Sequence, residues 1–176
     1  MISSLAICYG LVKPQPGRQM LDQLWTKMEA AGFKRFDLGV PITLTPIRRG
    51  DYLLGFKGCG VPKGEDGSDT FGQYLNGGCL VSDAVYFITA LHIVGEGDKG
   101  DRILRAMVAR QERGVFPNGG GFQNGVVNAY PQGAEFYTWD GQTCGYEGHL
   151  TYSYAFLQAV LLREAAFRAR LLRPLQ

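Results

Sequence analysis

Long apolar runs, concentrated basic patches, paired cysteines and histidines are all scarce in this chain of 176 residues, and each scarcity excludes something. No apolar run approaches the ~20 residues that cross a bilayer, so no membrane span is expected. The apolar start, MISSLAICYGLV, has no positive leading region and no obvious small-residue cleavage site, so it does not read as a signal peptide. Basic residues are dispersed through helical segments, with a local cluster only at Arg163, Arg168, Arg170 and Arg173. Phosphate binding needs a concentrated patch, so that cluster reads as a solvated helix face and nucleic acid is not an expected partner. The four cysteines (Cys8, Cys59, Cys79, Cys144) share no CxxC or metal-like spacing. They read as free thiols, which fits a reducing compartment and a cytoplasmic location. With two histidines in all, no metal site and no cofactor are expected.

What remains is an ordinary globular composition: 45% hydrophobic, net charge +2, and a length that fits one domain over 1–176. Five helical segments are predicted. The first, about 3–12, is apolar on nearly all sides, and such a helix must be buried. Lys13-Pro-Gln-Pro-Gly17 breaks it. The second, about 17–32, is amphipathic through Met20, Leu21, Leu24, Trp25 and Met28, with Gly32 as its stop. The third, about 80–94, is again apolar almost all round, with His92 a core or lining residue. The fourth, about 99–113, takes Asp98 as a plausible N-cap. It buries Ile103, Leu104, Met107 and Val108 and exposes Arg102, Arg105, Arg110 and Glu112. The fifth, about 150–172, starts apolar and ends rich in arginine.

Two long connections separate these helices. Residues 33–78 hold ten glycines and short apolar pieces, but no sustained alternation that supports a real sheet. Residues 115–149 hold eight glycines, seven aromatics, three carboxylates and no Lys or Arg. A connector of that length is functional or disordered, and its density of aromatics argues against disorder. Short breaks follow the buried helices and long loops follow the amphipathic ones. This pattern predicts an all-α fold of repeated αα-hairpins, with the long Gly/aromatic loops on one face beside the N-termini of the inner helices. A partial α/α toroid has those properties. A bare helical bundle leaves the two loops unexplained.

Four pieces carry a family likeness: LAICYGLV in the first helix, DLGVPITLTPIRRGDY, YLNGG before the third helix, and WDGQTCGYEGHLTYSYAFLQAVL at the end. In texture and order they resemble the C-terminal part of six-hairpin, (α/α)6-toroid glycosidases, the group that includes glucoamylase-like and trehalase-like enzymes. The resemblance implies a truncated ring whose first half is missing. It implies a homo-oligomer as well, because an open ring leaves apolar helix flanks to be covered. The Cys/Cys/His zinc pattern of another toroid group, the lanthionine-synthetase cyclases, is not present.

Glycoside hydrolysis commonly uses two carboxyl groups, which stand about 6.5–9.5 Å apart in inverting enzymes. Acidic residues on the loop face are Asp51, Glu65, Asp66, Asp69, Glu135, Asp140 and Glu147. Asp140 and Glu147 are the expected catalytic pair, because neighbouring Tyr137, Trp139 and Tyr146 can desolvate a carboxyl and raise its pKa. Their structural alternatives are an Asp-Gly turn for Asp140 and helix-dipole stabilisation for Glu147. Asp51, after two arginines, has a simple ion pair as its alternative. Sugar rings stack on aromatics, and their hydroxyls need amides and carboxylates. Trp139, Tyr137, Tyr74 and Phe122, with Asn76, Gln123, Asn124, Gln142, His149 and Asp51, supply that mixture, although some of these aromatics serve to pack the loop. His149 reads either as a cap for the fifth helix or as a ligand contact. The glycines of NGGG at 118–121 lack the strand and lysine of a phosphate loop.

The expected function is therefore a carbohydrate-active protein resembling an inverting glycoside hydrolase, with its cleft between loops 33–79 and 115–149. The alternatives are a non-catalytic carbohydrate-binding or structural remnant that self-associates, and a helical interaction domain.

Overall fold

The structure, a computed structural model, describes residues 2–45, 71–72, 76–112, 136–141, 143–144 and 155–172. It is mostly helical, with α1 (Ile2–Cys8), α2 (Pro14–Ala30), α3 (Val81–Ile93), α4 (Gly97–Glu112), α5 (Ala155–Leu161) and α6 (Ala165–Leu171) among the described residues. A 3-10 turn, Phe36–Leu38, follows α2. Four two-residue strands make one antiparallel sheet in the order β1 (Val40–Pro41), β2 (Cys79–Leu80), β3 (Phe136–Tyr137), β4 (Thr143–Cys144).

Helix α3 is the axis of the molecule. It packs on α1, α2, α4 and α5, and its Val81, Ala84, Val85, Phe87, Ile88, Ala90 and Leu91 are all buried. Branched and aromatic side chains on every side leave such a helix no favourable place except a core. Helices α2 and α4 are one-sided, as their periodicity predicts. Leu21, Trp25 and Met28 face inward from the first, and Ile103, Leu104 and Met107 from the second. Helix α2 ends where expected: the Phe33 amide donates to the Met28 carbonyl at 2.9 Å across the turn at Gly32.

The structure departs from the sequence-based expectation in several places, and α2 opens at Pro14 rather than at 17. A small sheet exists in a chain expected to be all-α, and strands of two residues are too short to alternate visibly. The fifth helix is broken at 162–164, where Arg168 Nη1 donates to the Leu162 carbonyl at 2.8 Å. Helix α1 closes at Cys8, so Leu11 lies outside it and is exposed. Nor are α1 and α5 buried all round: Ile2 is 81% and Leu157 60% exposed. Finally, α4 opens at Gly97, which puts Asp98 inside its first turn; the Lys99 amide donates to the Glu96 carbonyl at 3.0 Å.

The sheet decides where the loops sit. Val40 pairs with Leu80 and Pro41 with Cys79, while Cys79 also registers with Tyr137. Phe136 and Tyr137 in turn pair with Cys144 and Thr143. Strand β2 runs directly into α3, so pieces of both long loops are stitched together at the N-terminal end of the central helix.

Candidate functional site

Two places at that end of the molecule carry chemistry, and they are built in opposite ways. The first is the β3–β4 hairpin, which holds the expected Tyr137, Trp139 and Asp140. Its turn is closed by the Gly141 amide donating to the Thr138 carbonyl at 2.9 Å. Gly141 has φ +92°, a left-handed conformation that glycine adopts without cost. Asp140 is exposed in this turn and accepts a hydrogen bond from the Thr138 hydroxyl. The aromatic shielding expected around it is not seen. Trp139 turns inward, its rings edge-on to Phe33 at 5.2 Å and Phe71 at 4.9 Å, and its Nε1 donates to the Gly77 carbonyl at 2.5 Å. Tyr137 is 3% and Asn76 2% exposed. These three expected sugar contacts pack the loop face together.

Arginines clasp the hairpin from the helical side. Arg35 donates to both Asp37 oxygens, at 2.8 and 2.9 Å, and to the Asp140 carbonyl at 3.3 Å. Arg110, expected at the surface of α4, instead turns in. Its Nη2 donates to the Gly141 carbonyl at 2.8 Å, its Nη1 to Asp37 at 3.4 Å, and its guanidinium lies 4.8 Å from the Tyr137 ring centre. The hydrogen bonds from Arg35, with the positive charges of Arg35 and Arg110, outweigh burial and hold the Asp37 carboxyl below its usual range.

The second place was not anticipated. A cleft of about 270 Å³ lies between α1, α2, the segment 40–45 and the first turn of α3. Leu24, Met28, Val40, Leu44 and Phe87 give it apolar walls. Its polar residues are Ser4, Lys27, Thr43, Thr45 and Asp83. Thr43 Oγ1 accepts from the Thr45 amide at 3.3 Å. Ser4 is 1% exposed and its Oγ is buried with no hydrogen-bond partner. Asp83, half-buried, has its pKa pushed up by desolvation. A carboxyl shifted by burial in a cleft marks a candidate functional group. One signal could have exposed it: a carboxylate standing in the first turn of a helix otherwise apolar all round.

The segment 40–45 belongs to the first of the two loops expected to wall the cleft, and no described residue of the second lines it. Glu147, Tyr74, Gln123, Asn124, Gln142, His149 and Asp51 lie outside the described residues, as do Phe122, Tyr146 and the acidic residues at 65, 66, 69 and 135. His92 sits between α3 and α4, its Nε2 3.0 Å from Asp101 Oδ1, and burial lowers its pKa against the pull of Asp101. Burial also raises the thiol of Cys8 to about 12 and that of Cys79 further still. Neither can supply thiolate at neutral pH. Among the described residues no group of three or more His, Cys, Asp or Glu could hold a metal ion, and no helix is long and apolar enough to cross a membrane.

No protein-family model matches the chain, and neither a curated protein nor a solved structure is significantly similar to it.

Proposed function

We propose that this chain is a carbohydrate-active, glycosidase-like protein of partial α/α-toroid type, working in the cytoplasm on a neutral saccharide. The observation that carries this reading is the cleft at the N-terminal end of α3: apolar walls, hydroxyls and a desolvated carboxyl in one concave space. Apolar C–H faces and hydroxyls of a sugar ring need that combination. Its volume is close to the ~300 Å³ at which small-molecule sites begin, so it accommodates about one ring. Hydrolysis in this reading is inverting, with Asp140 and Glu147 of the segment 115–149 as the acid/base pair.

The test is a glycan panel assayed for turnover and for binding, with parent, Asp140→Asn and Glu147→Gln proteins side by side. Turnover in the parent, abolished in the two variants while sugar affinity persists, is the expected result. Binding without turnover in the parent assigns the protein to a second reading, the self-associating, non-catalytic remnant. The apolar exposure of Ile2 and Leu157, on helices flanking α3, favours self-association. Light scattering at micromolar concentration is expected to give a dimer or larger, and a monomeric mass sinks that part.

A further inference from the structure

Two polar groups of the cleft lining come from different helices. Ser4 lies in α1 and Asp83 in α3, and the two helices pack against each other. A buried hydroxyl without a partner forfeits its hydrogen bond with water, a cost that proteins rarely leave standing. Ser4 Oγ is one of two such side-chain atoms among the described residues, and it belongs to the cleft lining. Asp83, in the same lining, is desolvated, and only the positive charge of the chain's N-terminus draws its pKa back down. A hydroxyl without a partner and a desolvated carboxyl on one concave space, over a wall that includes Phe87 and Met28, make a hydrogen-bond set that a ligand completes.

We propose that Ser4 and Asp83 are the specificity-determining pair of this cleft and bind hydroxyls of one neutral pyranose ring. The inference rests on the saccharide reading above and names the residues and ligand charge for that site. At neutral pH the Asp83 carboxylate accepts from ring hydroxyls, and Ser4 Oγ donates to or accepts from a neighbouring one. Such a pair discriminates by charge. A uronate or a sugar phosphate brings a second anion against Asp83, whose charge the chain's N-terminal ammonium already offsets, and the ammonium of Lys27 stands exposed at the rim, where solvent screens it. Neutral rings are therefore selected over acidic ones. The polar set is arranged for one ring, and hydrogen bonds of this kind reject an analogue that leaves them unpaired.

The experiment uses the full chain and saturation-transfer NMR with isothermal titration at neutral pH. The probes are methyl glucopyranoside, methyl mannopyranoside and methyl galactopyranoside, with glucuronate and glucose 6-phosphate as acidic counterparts. At least one neutral pyranoside is expected to bind in preference to both acidic sugars. Its affinity falls about tenfold in Asp83→Ala and about threefold in Ser4→Ala, the loss of a charged and of a neutral hydrogen bond respectively. Asp83→Asn, which keeps shape and removes charge, narrows the preference for the neutral sugar over glucuronate. A structural role for Asp83 cannot produce that change, and thermal unfolding of each variant identifies any that fails to fold. Neutral-sugar binding that both alanine variants leave unchanged overturns the inference and leaves the saccharide reading standing. Preferential binding of glucuronate or the phosphate overturns it as well. No binding of any sugar overturns the saccharide reading itself, and this inference with it.

Discussion

The hairpin clasp and the cleft lie at the same end of α3 and handle charge in contrary ways. In the clasp most polar atoms are answered, Arg110 Nε excepted: Asp37 by two arginines, the turn carbonyls of Asp140 and Gly141 by Arg35 and Arg110, Trp139 by Gly77. In the cleft a hydroxyl and a carboxyl are desolvated and left open. Satisfied networks rigidify and specify a conformation, and unsatisfied groups store free energy for something that binds. The comparison teaches that residues rich in apparent chemistry, Trp139 and Tyr137 among them, also hold the fold, while desolvated polar groups sit in the plainer region.

The largest expected effect comes from breaking the clasp. Arg110→Ala removes the donor to Gly141 and one partner of Asp37, and uncovers the Tyr137 ring. A loss of about 2–3 kcal/mol in chemical denaturation is expected. Little or no loss means that the hairpin is held by its aromatic packing alone.

Next comes a difference of sign between the two carboxyls. Asp37 has a lowered pKa, so its contribution to stability is present above about 3.8 and disappears as pH falls through its folded value. Asp83 has a raised pKa, so charging it costs stability as pH climbs from about 3.8 through its folded value. Asp37→Asn is therefore expected to lower the unfolding midpoint at neutral pH, with the gap closing in acid. Asp83→Asn is expected to raise it at neutral pH by less than about 1 kcal/mol, because solvent screens a half-buried group. That gap too closes as pH falls towards 4. Thermal scans from pH 3 to 8 check both, and variants that shift in the same direction break the contrast.

The smallest effect is expected at Ser4. Ser4→Ala removes a hydroxyl with no partner, so stability moves by no more than about 0.5 kcal/mol. A loss well beyond that shows that Ser4 is bonded within the protein and that the cleft is better satisfied than its geometry indicates.

Much of the scaffold was legible before the structure, for reasons visible in particular residues. The apolar girdle of α3 and the stripes Leu21–Trp25–Met28 and Ile103–Leu104–Met107 follow helical periodicity, and periodicity survives folding. The sheet was hidden because its strands are two residues long and depend on partners distant in sequence, as Val40 with Leu80 and Cys79 with Tyr137. The break at 162–164 was hidden because neither glycine nor proline marks it. Arg110 misled because a charged residue on an amphipathic helix normally faces water, and only the hairpin it holds draws it in. Asp140 followed its turn chemistry, which Asp-Gly announces. Asp83 was overlooked because a carboxylate in a first helical turn has an ordinary electrostatic explanation.

At the far end of α3, His92 nests against a strip of α4 that carries no side chains. A Cβ on Gly97 would stand 2.8 Å from its Nδ1, and one on Gly100 3.1 Å from the Ile88 carbonyl. The two helices therefore meet at one longitudinal position, pinned by the contact between His92 and Asp101. A helix is stiff along its axis, and Asp83 lies about 14 Å up the same rod. The seam thus works as a depth stop. The register of α3 on α4 is set there, by two residues whose contribution is to leave room.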